Sequence, residues 1–193
     1  MKKYEFTGEI KKIDGAVVRR IRAIKSFGTV KAGELGGWVE FEENLSQYGN
    51  AWIYPDAIVC DNARVLGNAQ ICNKAIVRCN AIVLGDALIC NKVIVGGNAV
   101  VYDNARVTGN AIISNNAIVC GNAQVSGNAW IYNTAIVKSS AKVYGEAEVT
   151  GNAIVTDSVE ISGKAIVTGN ARVFGDVKIT GKLLITDNAW ICK

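Results

Sequence analysis

From Ala51 to Ala189 every sixth residue is small and apolar, and the residue two places further on is always Val or Ile. The register runs Ala51/Ile53, Ala57/Val59, Ala63/Val65 and onward to Ala189/Ile191 without an insertion. The small position is Ala throughout, save for Val93, Val159, Val177 and Leu183. A period of six is too long for the alternation of one strand and has no helical meaning. A short strand, a corner and another short strand reproduce it. The small residue and the Val or Ile then point inward, and the residue between them points out. Gly-Asn, Asp-Asn and Asn-Asn pairs before most of the Ala residues mark the corners, where backbone at positive φ is common. Three hexads close a coil of 18 residues with three flat sides, so the pattern predicts an all-β chain wound in triangular coils.

Residues 18 apart should then stack as ladders. The outward positions of the first side are Trp52, Gln70, Leu88, Arg106, Gln124, Lys142, Glu160 and Lys178, a polar, solvated face. The second side carries Ile58, Ile76, Ile94, Ile112, Trp130, Glu148, Ile166 and Leu184. The third carries Arg64, Ile82, Val100, Ile118, Ile136, Ile154, Arg172 and Trp190. Two of the three exteriors are thus aliphatic, and contiguous exposed apolar strips mark interfaces. Each Ile removed from water contributes ~1.5–3 kcal/mol. A closed assembly that uses two adjacent faces of each prism is a trimer, with Ile76, Ile94, Ile112, Trp130, Ile82, Val100, Ile118, Ile136 and Ile154 at its interface. The competing arrangement is a two-fold dimer that buries one strip while an N-terminal hairpin covers the other, but a hairpin of ~20 residues is too short to cover about nine coils. At one corner Asn62, Asn80, Asn98, Asn116, Asn152, Asn170 and Asn188 repeat, interrupted by Thr134, and their stacked amides serve to bond coil to coil.

The N-terminal part departs from the hexads. Tyr4 to Ile10, the turn Ile13-Asp14-Gly15, and Ala16 to Ile24 read as a β-hairpin. It would cap the open edge of the solenoid against strand addition. The hexad frame extends backwards with weaker residues, Gly33/Leu35, Val39/Phe41 and Leu45/Gln47. We therefore divide the chain into a hairpin cap over 1–32 and a solenoid over 33–193.

The small-x-Val/Ile hexads resemble the bacterial transferase hexapeptide repeat. That resemblance implies a left-handed parallel β-helix, here of about nine 18-residue coils, and it also favours a homotrimer. The run Gly33-Glu34-Leu35-Gly36-Gly37-Trp38-Val39-Glu40, with Glu43-Asn44-Leu45-Ser46, is similar to the opening segment of hexapeptide proteins of bacteria and their phages. The best-known activities of the family are acyl transfer from a CoA or carrier-protein donor, generally with a His base, and zinc carbonic anhydration on three His. This chain has no His. The zinc reading fails on its ligands, and acyl transfer would need another base. Glu148 is the carboxylate for that role, because it interrupts an apolar ladder at an expected interface. Neither a metal nor a cofactor is called for.

The net charge of +4 permits a basic pocket without announcing a nucleic-acid polymer as partner. The N-terminus lacks the apolar run of a signal peptide, and no stretch is long enough to span a bilayer, so the expected location is cytoplasmic. Six Cys in such a chain are expected as reduced thiols, with Cys72 and Cys90 stacked on adjacent coils. Ser114, Ser126 and Ser162 have no His to activate them, and Gly33–Gly37 lacks the Lys and Ser/Thr of a phosphate loop. Binding remains. Lys74 and Lys92 share a corner with Lys164 and Lys182, and Arg78 lies on the strand after Lys74. Tyr102 and Tyr132 stand among the outward aromatics, and Arg20 and Arg22 share one face of the hairpin. Basic groups beside aromatic rings suit a phosphate with a stacked base. The expected function is a non-enzymatic homotrimer that sequesters a small anionic ligand, such as a nucleotide signal, between subunits in the manner of a phage anti-defence sponge. The alternatives are an acyltransferase with a non-His base and a structural scaffold.

Overall fold

Each hexad folds as a two-residue strand followed by a corner, because the alternation inside so short a strand leaves one side chain in and one out. In the computed structural model, which describes residues 2–193, these units build a parallel β-solenoid of about nine turns with 18 residues per turn. After β1 (Tyr4–Ile13), β2 (Ala16–Ala23) and β3 (Leu35–Val39), short strands follow from β4 (Trp52–Ile53) to β27 (Trp190–Cys192). They form one 11-stranded and two 8-stranded sheets. The three sheets carry the three expected ladders: Gln70 pairs with Leu88, Ile76 with Ile94, and Ile82 with Val100. No helix among the described residues is long and apolar enough to cross a membrane.

The core is the paired column of small and β-branched residues, Ala51 and Ile53 through Ala171 and Val173, almost all fully buried. Ala suits the position beside each corner because the prism is narrow, although Val93 and Val159 are accommodated there fully buried. The corners turn through left-handed backbone at Gly, Asn or Asp, and occasionally at Cys79 (φ 61°) or Ser139 (φ 58°). Gly97 shows how close the stacking is: a Cβ there would lie 2.6 Å from the backbone N of Asn115. The Asn amides bond along their corner from Asn62 to Asn80, Asn98 and Asn116. A second run links Asn152, Asn170 and Asn188, with the Thr134 hydroxyl donating to Asn152 at its start.

The first turn obeys a different register. Val39 pairs with Val59 and Leu45 with Val65, so the backward frame Val39/Phe41 and Leu45/Gln47 is two residues out. Gly37, not Val39, fills the small position, and Val39 and Leu45 fill positions of Val or Ile. The extra residues are Gln47 and Tyr48. Ser46 N still donates to the Val65 carbonyl, as Leu66 N does to Val83, and Gly49 already stacks on Gly67. Glycine is needed at 37 because a Cβ would sit 2.5 Å from the carbonyl oxygens of Ala57 and Tyr54. A short 3-10 turn, Glu42–Asn44, replaces a strand here. The buried Asn44 side chain supplies the missing ladder bonds: its amide donates to the Asp61 and Ala63 carbonyls and its oxygen accepts from Glu40 N and Phe41 N. The edge of the third sheet is thereby closed to strand addition.

The hairpin turns at Asp14 (φ 49°) and Gly15 (φ 93°), both left-handed, as a two-residue primed turn requires. β2 pairs antiparallel with β3, extending the second sheet past the end of the prism. Tyr4, Ile21 and Ala23 close over the core. Trp52, expected on the solvated side, is fully buried, with Phe27 and Tyr4 rings 5.4 and 6.5 Å away. The Lys3 amine is also buried and donates to the Ala51 carbonyl at 2.8 Å. Burial, with Lys25 nearby, lowers it to about 8.

Candidate functional site

The corner between the first and second sides carries the basic column. Asn73 (φ 58°) and Asn91 (φ 71°) take the left-handed turn positions, which throws the following Lys74 and Lys92 outward on adjacent coils. Asn91 N donates to Asn73 Oδ1 at 3.3 Å, locking the two turns together. These four residues line an open groove of about 300 Å³. Lys164, in the same column, is bound to Glu146 at 2.9 Å. Lys74 and Lys92 have no ion pair among the described residues, and both are exposed on adjacent coils. A dianionic phosphate suits such a pair.

The two coils are also joined covalently. Cys72 and Cys90, immediately before the turns, form a disulfide with Cα atoms 4.7 Å apart. This corrects the expectation of reduced thiols at that pair. In-register parallel stacking holds identical positions one strand apart, a separation a disulfide spans. Cys60, Cys79, Cys120 and Cys192 are free. The Cys60 thiol is pushed up to about 12 by burial and by the neighbouring Asp61 and Glu40 carboxylates.

The other residues singled out in the sequence lie elsewhere on the chain. Tyr102 stands at the corner between the third and first sides, where its hydrogen bond with Cys120 pushes the phenol up to about 12. Arg78 stands across the strand Ile76–Val77 from Lys74, 3.9 Å from Asp14 of the hairpin turn. Arg20 and Arg22 are answered by Glu9 at 3.2 Å and Glu5 at 2.6 Å, and Arg20 also lies over the Trp38 ring. Among the described residues, Lys74 and Lys92 are neighbours on adjacent coils with neither in an ion pair, whereas Lys164, next to Lys182 in the column, is held by Glu146 and Arg20 and Arg22 by Glu9 and Glu5.

A second constellation forms on the second side. Trp130 pairs with Glu148 on the next rung, and the Tyr132 hydroxyl donates to Glu148 Oε2 at 3.0 Å. Burial, together with that carboxylate, raises the Tyr132 phenol against an opposing hydrogen bond with Thr150. The Trp130 and Tyr132 rings meet nearly edge to face, 6.3 Å apart. Around it run the aliphatic rungs. Ile76 is partly covered by the hairpin residues Ile13 and Ala16, which pack with Val18, Ile58 and Cys60. Ile94 and Ile112 on this side, and Ile82, Val100, Ile118, Ile136 and Ile154 on the next, are half-buried in the single chain. Among the described residues no three His, Cys, Asp or Glu side chains gather as a metal ion needs.

One feature of the surface was not anticipated. A cleft of about 730 Å³ lies along the first turn, walled by Phe41, Glu42, Glu43 and Tyr48 over Asp61 and Arg64. Its cause is the Gln47–Tyr48 insertion. The spacing of Gly37 and Val39, which repeats the small-x-Val unit two residues out of frame, was the available signal.

A family model described as the YdcK beta solenoid repeat matches residues 99–115. Among curated proteins, an Escherichia coli (strain K12) protein named "Uncharacterized acetyltransferase YdcK" is 39% identical over 56 residues, covering 25% of this chain. The matched part spans 17% of that protein's length. The repeat match, this similarity and the solenoid itself fit a hexapeptide-repeat β-helix family.

Proposed function

We propose that the chain assembles as a homotrimer and holds a small anionic ligand, of the phosphate or nucleotide class, in clefts between subunits. The observation that carries this reading is the Lys74–Lys92 groove at the border of the second aliphatic face, which itself adjoins the aliphatic third face. A three-fold assembly burying the second and third sides turns their shared corner to the axis and leaves the polar first side outward. The corner bearing Lys74 and Lys92 then meets the neighbour's corner bearing Tyr102. Lys92 and Tyr102 belong to the same turn, so equal levels bring a basic pair against a phenol ring, a combination for a phosphate with a stacked base. The Cys72–Cys90 bond fixes the spacing of the two lysines, which favours binding by preorganisation. Sequestration of a host nucleotide signal is the biological use that fits a rigid binder.

Native mass spectrometry of freshly purified protein tests this. Three chains with a reproducible excess mass, lost in Lys74→Glu/Lys92→Glu, is the expected result. A monomer at every concentration overturns it.

A second reading, acyl transfer, is favoured by two observations: the Tyr132–Glu148 hydrogen bond and the acetyltransferase name of the Escherichia coli relative. Glu148 would accept the acceptor's proton, with Tyr132 holding the carboxylate. Saturable acetyl-CoA turnover abolished by Glu148→Gln supports this reading. Turnover unchanged in that variant removes it.

A further inference from the structure

The hairpin presents two unlike faces. Lys11, Ile13 and Val18 turn toward the second side, with the Lys11 amine 4.1 Å from the centre of the Trp38 ring. The opposite face carries Ile10 and Lys12, paired across the hairpin with Arg19 and Val17. Ile10 is 66% exposed and Val17 36%, and Lys12 has no ion pair among the described residues. An aliphatic patch with the free Lys12 amine is thus exposed on this face, while Arg19 beside it donates to the Glu40 carbonyl at 3.3 Å and lies over the Phe6 ring. The first-turn cleft on the third side has the complementary character. Phe41 and Tyr48 are 47% and 85% exposed, and Glu42 and Glu43 stand between them at its wall. Lys2 answers Glu42; Glu43 has no ion pair among the described residues.

The levels agree as well. The hairpin overlies the rungs Ile58 and Ile76 of the second side. The cleft overlies the rung Arg64 of the third side, in the same turn as Ile58. We infer that the β-hairpin of one copy seats in the first-turn cleft of the next, with Ile10 and Val17 against Phe41 and Tyr48 and Lys12 against Glu43. This rests on the assembly proposed above and adds a device that flat ladders lack. A row of identical isoleucines leaves neighbouring prisms free to slide by one rung, whereas a single hairpin in a single cleft admits only one level.

Sedimentation equilibrium on the full chain, with Lys12→Glu, Glu43→Lys and the double exchange, tests the contact. Each single reversal should weaken assembly by roughly tenfold or more, because attraction becomes repulsion at each interface, and the double exchange should recover to within about threefold of wild type. Single variants that assemble like wild type overturn the hairpin contact and leave the trimer standing. So does a double exchange that fails to recover while folding normally by circular dichroism. A wild-type chain that stays monomeric overturns the contact and the assembly together, and Ile118→Glu, on the third ladder away from the cleft, separates the two cases further. It should abolish assembly whether or not the hairpin seats.

Discussion

The first turn and the turns above it are made of the same kinds of residue, yet they solve the backbone problem in opposite ways. In the regular turns every strand is satisfied by its neighbours 18 residues away, and the Asn column repeats one bond on exposed amides. In the first turn there is no strand below. The antiparallel β2, the buried Asn44 side chain and the Lys3 amine replace it. Repetition yields a uniform rod whose surface differs from rung to rung only in its outward side chains. The break in repetition yields the hairpin, the insertion and the first-turn cleft. Energy in the rod is spread over many equivalent contacts, whereas in the first turn it is concentrated in a few irreplaceable ones.

Substitutions at matched positions should expose that contrast. The largest effect is expected from Gly37→Val, which drives side-chain atoms into two carbonyl oxygens and should cost more than about 3 kcal/mol, against about 1 kcal/mol for Ala105→Val in a regular turn. Urea unfolding of both variants measures the difference, and equal costs would remove the distinction between the two regions. Next comes Asn44→Leu, which strands Phe41 N and the Asp61 and Ala63 carbonyls, while Glu40 N keeps the Val59 carbonyl. It should cost about 3 kcal/mol, while Asn98→Ala in the exposed column should cost about 0.5 kcal/mol. Reduction of the Cys72–Cys90 bond should lower stability by about 2–3 kcal/mol, from the freedom returned to the unfolded chain. It should also weaken ligand retention at Lys74 and Lys92. Thermal melts with and without a reductant, with Cys72→Ser/Cys90→Ser as control, measure it.

The smallest effect is a pH dependence confined to the first turn. Lys3 titrates near 8 when folded and near 10.5 when unfolded, so between those values the unfolded chain binds more protons. Stability therefore rises with pH from about 8 and falls back as pH drops through it. Tyr4, raised by burial and by Glu42 and Glu43, acts in the other direction above pH 10, where the unfolded phenol ionises first. The rise should thus be seen mainly between pH 8 and 10 and be absent in Lys3→Met, as read from denaturant midpoints across that range. A wild-type midpoint that is flat there would place the Lys3 amine in water.

Most of the solenoid was legible because a six-residue period leaves no choice of which side chain is buried. Ala51/Ile53 and its successors have only one arrangement that hides both residues, and the ladders of Gln70, Ile76 and Ile82 follow by counting. The hairpin was legible for a related reason: Asp14-Gly15 is a turn pair flanked by alternating strands. Lys74 and Lys92 could be assigned to one corner by the same count. Their lack of carboxylate partners, against Lys164 with Glu146, could not be read that way, because it depends on how side chains lie on the surface. The disulfide was missed because redox expectation was drawn from the whole chain, and the bond depends on one local Cα separation.

By itself, then, the sequence determined the period, the inward and outward faces and the two apolar ladders, since these follow from the geometry of short strands and the burial of small side chains. Only the tertiary structure decided where the period starts. Gly37 is small enough for the prism interior, Gln47 and Tyr48 are polar enough to bulge from it, and Asn44 can stand in for a strand. Whether a given residue does these things depends on the carbonyl groups facing it, and those come from residues a full turn away.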